Sequence, residues 1–167
     1  MCTLTTKKRL SIAIKPVKCY KILHAFGDTF RHTPLQQTRI SAECFSEKRK
    51  ERKAFEANGD IKLLDTETWT LHYFGEEYKY SAEKGFIHCF KKMEDAIMAA
   101  KEYLSAAGYE HTEVWEVEVP FGTRYVEGIN AWSGEAQHPL DMLPAIAAKK
   151  IVFKKCVATH YNIEIKE

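Results

Sequence analysis

At 167 residues, 45% hydrophobic and 29% charged, the chain has a globular composition with room for a substantial core, which excludes disordered and fibrous classes. No run approaches the roughly 18 continuous apolar residues that crossing a bilayer requires. The formal net charge of +2 is too small by itself to argue for nucleic acid.

The basic start, through Arg9, leads only into the short β-prone run 10–14, so no secretory signal is expected. Residues 20–26 read as a strand: Tyr20, Ile22, His24 and Phe26 alternate with Lys21, Leu23 and Ala25. Gly27 and Asp28 supply turn chemistry, and 28–40, with Pro34, reads as a long loop. Residues 41–58 read as a surface helix, capped by Ser41, ended by Asn58-Gly59 and densely charged over 46–53.

Residues 61–64 and 68–74 read as strands, the second with Trp69, Leu71 and Tyr73 on one face and Gly75 at its end. A polar, aromatic connection over 76–82 holds Tyr78, Tyr80 and Ser81, and 85–90 is a compact strand whose Gly85 permits a tight approach. The firmest helix follows. Met93, Ile97, Ala100, Leu104 and Ala107 form one stripe, widened by Ala96 and Tyr103, with Glu94 and Asp95 in the first turn and Gly108 as the stop. Its small residues Ala96, Ala99 and Ala100 allow close approach to a sheet.

Over 112–120, Trp115, Val117 and Val119 should face the core, with Val114, Glu116 and Glu118 mostly wet. A Phe121-Gly122 turn precedes a strand at 124–126. Residues 127–141, with Gly128, Gly134 and Pro139, read as another long loop. Residues 151–157 and 161–165 close the chain as strand candidates. The result is a single α+β domain over 1–167, a mostly antiparallel sheet, whole or split, with two main helices.

No phosphate loop, dinucleotide fingerprint, nucleophile elbow or zincin helix appears. Cys2, Cys19, Cys44, Cys89 and Cys156 are odd in number and never spaced as C-x-x-C, which reads as free thiols of a reducing, cytoplasmic compartment. His24 and His88 sit in predicted strands and would meet if those strands are neighbours. Tyr78, Tyr80 and Ser81 offer a stacking and hydrogen-bonding surface for a flat ring, and Glu116 and Glu118 carboxylates for a sugar hydroxyl or developing cation. No metal site is expected: His88 and Cys89 point to opposite faces of a strand, and the spacing lacks turn-held ligand pairs. Residues 1–60 carry 13 Lys or Arg against 6 Asp or Glu, and residues 61–167 carry 12 against 17. That asymmetry suits an acidic partner or nucleic acid.

The Gly-Phe-Ile-His-Cys-Phe string at 85–90, the alanine-rich helix, the Val117–Val119 strand and the Ala-Lys-Lys-Ile string at 148–151 resemble small phage and bacterial proteins, which implies a phage association. The Gly-Phe-Ile-His string also resembles one in small proteins of the ADP-ribosyltransferase fold. That likeness implies a split antiparallel sheet with NAD in a cleft. His24, Tyr78, Tyr80, Ser81 and His88 would then be cofactor contacts, and His24, Tyr80 and Glu116 the catalytic set, with Glu118 the alternative to Glu116 as the acidic residue. His24 is followed by Ala25-Phe26, where characterised relatives carry a tight glycine-containing pattern. The leading functional expectation is a binding or inhibitor protein that engages a host protein or a nucleotide-like ligand, with no cofactor and no membrane partner. NAD-dependent ADP-ribosyl transfer and nucleic-acid binding stand as alternatives.

Overall fold

The computed structural model describes residues 2–26, 30–33, 38–46, 51–82, 85–107, 111–132 and 136–161. In chain order the elements are β1 (Cys2–Thr5), β2 (Ser11–Ile12), β3 (Val17–Phe26), β4 (Phe30–His32), α1 (Ala42–Phe45), β5 (Phe55–Glu56), β6 (Leu63–Asp65), α2 (Thr68–Phe74), β7 (Tyr80–Ala82), β8 (Ile87–Phe90), α3 (Met93–Ala107), β9 (His111–Val119), β10 (Arg124–Ala131), β11 (Pro144–Ala148) and β12 (Lys150–Tyr161). The fold is α+β: one large antiparallel sheet of order β5-β12-β9-β3-β8-β11-β10-β1-β7-β6, with a small helical component.

Chain continuity bends this sheet into a ring. Only Lys149 separates β11 from β12, so one nearly unbroken segment belongs to both ends of the run β12-β9-β3-β8-β11. Inside the ring lies the main core, where Cys19 and Leu23 of β3, Trp115, Val117 and Val119 of β9 and Phe153 of β12 meet Ile87, Cys89, Ile146 and Ala148 of β8 and β11. Ile40, Cys44 and Phe45 plug it, with Phe55 and Ala57 packed alongside. Pairing around the ring is uneven. β3 and β9 match over nine positions, Val17 with Val119 through Ala25 with His111, whereas among the described residues β3 and β8 match only at Tyr20 and Phe90.

The helix α3 covers the outer face of β3 and β9. Ala96, Ala99 and Ala100 are fully buried against Ile22 and Val114, as their small size requires for close approach, and Tyr103 packs beside them. The buried stripe is centred on these residues, and Met93 is 42% exposed, so the expected stripe was rotated. The side chains of Leu104 and Ala107, and Gly108, lie outside the described residues. Val114, expected to be wet, is buried because α3 sits over it; Glu116 and Glu118 are half-buried and paired with Lys18 at 3.6 Å and Lys154 at 3.6 Å.

Several expectations are corrected by tertiary pairing. The helix over 41–58 reduces to α1, capped by the Ser41 hydroxyl. The chain then extends, so that Phe55 re-enters the core and pairs with Ile151. Arg52 fastens this segment, donating to the carbonyls of Ser46 (3.2 Å), Phe153 (3.0 Å) and Lys154, with its guanidinium over Trp115. The charged residues 47–50 of that segment fall outside the described residues. The strand expected at 68–74 is α2: Thr70 and Phe74, four apart, are buried while Trp69 and Tyr73 are exposed. The loop over 28–40 contains β4, which folds back on β3, and the loop over 127–141 begins as the second half of β10. Gly27, Asp28, Pro34, Gly134 and residues 162–165 lie outside the described residues.

At Gly128 the backbone of β1 lies close against β10. A Cβ there would lie 2.0 Å from the Leu4 carbonyl oxygen. Gly128→Ala is expected to cost about 2 kcal/mol or more; urea unfolding at wild-type midpoint would contradict this close approach.

His24 is buried under α3, its ring edge-on to Tyr103 at 5.8 Å. Burial, then repulsion from His32 and Lys21, pushes its pKa down to about 4 from 6.5. The unfolded imidazole takes its proton at the higher value, so acid favours unfolding across that interval. Stability should be full above pH 6.5 and fall on the order of 3 kcal/mol as pH drops to about 4. His24→Gln should flatten this part of the stability profile in denaturant titrations at stepped pH.

Candidate functional site

The poorly paired seam between β3 and β8 opens into a cavity of about 420 Å³. Its apolar wall is Phe55, Ala57 and Ile87; Thr33 and Thr38 enter from the end of β4, and residues 58–60 with Gly85 form the lip. Lys21 lies at its floor, only 5% exposed, on the same face of β3 as Cys19 and Leu23. Its amine donates to the His88 carbonyl oxygen at 2.9 Å. In effect a side chain makes the cross-seam bond that the backbone ladder does not.

An ammonium carries three donors, and among the described residues the His88 carbonyl is the one acceptor in hydrogen-bond contact with Lys21. Burial lowers the Lys21 pKa from its ordinary value of 10.5; the nearby thiols Cys89 and Cys19 oppose this more weakly. Cys19 itself is held protonated, its pKa raised well above the usual thiol range by its hydrogen bond with Cys89 and by burial. The pocket rim is also tied by side chains. Thr38 N–H donates to the Thr33 hydroxyl at 3.1 Å, and the Lys149 amine donates to the carbonyls of Ala57 (2.7 Å) and Gly59.

A second buried polar group lies beyond Leu23 on the inner face. Arg31 donates to both carboxylate oxygens of Glu113, at 2.6 and 3.1 Å, and the Trp115 indole donates to the same group at 3.0 Å. Arg31 also lies over the Phe45 ring. This arrangement satisfies two buried charges and ties β4 to β9.

The residues singled out from sequence are distributed over the sheet. His24 and His88 do lie on neighbouring strands, but each has its own contact: His24 faces Tyr103, and His88 Nδ1 meets the Thr3 hydroxyl at 2.9 Å. Glu116 is opposite Tyr20 while His24 is opposite Thr112, four residues along the ladder, a rise of about 13 Å. Tyr80 and Ser81 are on β7, five positions from β3 in the sheet, Ser81 buried and Tyr80 half-buried; Tyr78 packs against the Leu4 and Phe74 cluster. Among the described residues no three His, Cys, Asp or Glu side chains gather to hold a metal ion.

Lys21, Thr33, Thr38 and Phe55 are not among the site residues that the sequence suggests. One signal was present: Lys21 shares its strand face with Leu23 and Ala25, both fully buried, and a lysine on a buried face needs an acceptor or a ligand. Comparison with protein-family models, characterised proteins and solved structures gave no match to this chain.

Gly85 sets the lip of the cavity. It adopts φ +76°, and a Cβ would lie 2.5 Å from the Asp60 carbonyl oxygen. Gly85→Ala is expected to push residues 58–60 outward and cost about 1–3 kcal/mol. Unchanged thermal stability together with an unmoved lip in a crystal structure of the variant would contradict that role.

Proposed function

We propose that this chain is a binding protein that holds a nucleotide-like or similarly sized anionic molecule in the pocket at the β3–β8 seam. The observation that carries this reading is the buried Lys21 amine at the cavity floor, with one protein acceptor and donors left over. A phosphate or carboxylate placed there would meet the amine in a low-dielectric site, where a charge-assisted bond is strong. The threonine hydroxyls suit further polar atoms, and Phe55, Ala57 and Ile87 suit a flat apolar body. A volume of about 420 Å³ is in the range of small-molecule sites.

Binding of an anion offsets the burial that lowers the Lys21 pKa, so complex formation should draw in a proton at alkaline pH, where the free amine is partly neutral. Affinity should therefore weaken as alkali neutralises the amine. The buried free thiols Cys19, Cys44 and Cys89 support a reducing, cytoplasmic setting for this role. Among the described residues no helix is long and apolar enough to cross a membrane.

The test is calorimetric titration of the purified chain with adenosine monophosphate, NAD and benzoate, in two buffers of different ionisation heat. Saturable binding of at least one, proton uptake when the titration is run at alkaline pH, and a loss of about tenfold or more in Lys21→Met are expected, since methionine keeps the stem but removes the charge. No saturable heat from any of the three, or equal affinity in a folded Lys21→Met, would overturn the proposal. Release of nicotinamide from NAD would move the assignment to the ADP-ribosyltransferase alternative.

A further inference from the structure

Two loops are fastened together at one end of the ring. Ala13 N–H donates to the Thr123 carbonyl at 2.9 Å, and Gly122 N–H donates to the Ala13 carbonyl at 2.8 Å. Ala13 is buried between them, which turns its neighbours outward: Ile12, Ile14 and Phe121 are 61%, 84% and 74% exposed. Among the described residues these are the three most exposed large apolar side chains, and all three are on this one tip. Isolated exposed apolar residues are ordinary, but a cluster held out by backbone hydrogen bonds marks an interaction surface.

The charge around the tip has one sign. Lys15 follows Ile14, Arg124 is paired in register with Ile12, and the exposed Lys7, Lys8 and Arg9 lead into β2. Among the described residues none of these five has an ion-pair partner. The acids of the adjoining strands are already engaged, Glu116 with Lys18, Glu118 with Lys154 and Glu127 with Lys91.

From this placement we infer that the tip docks on an anionic lipid bilayer. Ile12, Ile14 and Phe121 enter the headgroup layer, and Lys15, Arg124 and the 7–9 cations meet lipid phosphates. A projecting apolar tip with a cationic rim matches a soft, negatively charged interface, where burial of apolar groups and attraction to the headgroups act together. This departs from the sequence expectation of no membrane partner. That expectation followed from the want of a spanning segment, which a tip confined to the interface does not need. The docking surface is independent of the Lys21 pocket.

The full chain is floated with vesicles of phosphatidylcholine alone and of phosphatidylcholine mixed with phosphatidylglycerol. Association should be at least about tenfold stronger with the anionic vesicles and should fall as salt is raised. Ile14→Ser with Phe121→Ser should abolish it without changing the melting temperature, because both side chains are already in water. Lys15→Gln with Arg124→Gln should weaken it severalfold while leaving the apolar tip intact. Absence of association with either vesicle, or undiminished association of the serine variant, would overturn the inference. A concentration-dependent dimer in sedimentation that the serine variant abolishes would assign the tip to a second copy of the chain and overturn it equally.

Discussion

Between β3 and β8 the backbone ladder holds at Tyr20 and Phe90, and beyond that position the Lys21 amine reaches the His88 carbonyl. The ring of strands can stay closed around its core and still open a cavity because a flexible side chain spans what a second backbone pair would have sealed. Four methylene groups give a lysine the reach, and its stem leaves the strand face that carries Cys19 and Leu23 while the charged end stays at the cavity. The cost is a desolvated amine, visible as its lowered pKa.

The rest of the molecule stiffens around that opening. Chain continuity through Lys149 closes the opposite side of the ring, and the nine-position ladder between β3 and β9 holds the strand that carries Lys21. The buried Arg31–Glu113 pair fixes β4, and so positions Thr33 at the pocket mouth. Such a pair contributes less to net stability than to definition of one arrangement, since desolvation offsets much of its attraction. On the far side of the sheet, Thr3 meets His88 although their strands are three positions apart, about 14 Å on a flat sheet. The sheet must therefore curl strongly, and Gly128 and Ala147 are small where it does.

Local pattern was a good guide where burial is one-sided or the helix is long. The α3 helix was legible from its period, the Trp115, Val117 and Val119 face of β9 from its alternation, and Gly85 from its place before a strand. Pattern failed where a distant strand decides the outcome. Residues 41–58 have helix-forming composition, yet Phe55 is worth more to the fold in the ring core than on a solvated helix. In 68–74, alternation of Trp69, Leu71 and Tyr73 imitated a strand, while the buried pair Thr70 and Phe74 has helical spacing. The candidate site was hidden for a related reason. Its members come from four separate stretches of chain, and only tertiary structure shows that Lys21 lies on a fully buried face with a cavity above it.

The central claim is that the Lys21 amine is withdrawn from water at this seam and hydrogen-bonded to one carbonyl. Carbon NMR titration of the lysine ε-carbons, with Lys21 assigned by its absence in Lys21→Met, tests that claim most directly. The account predicts that the Lys21 resonance titrates below the ordinary lysine value of 10.5. A Lys21 resonance titrating at or above that value would contradict it, and with it the proposed binding site at the seam.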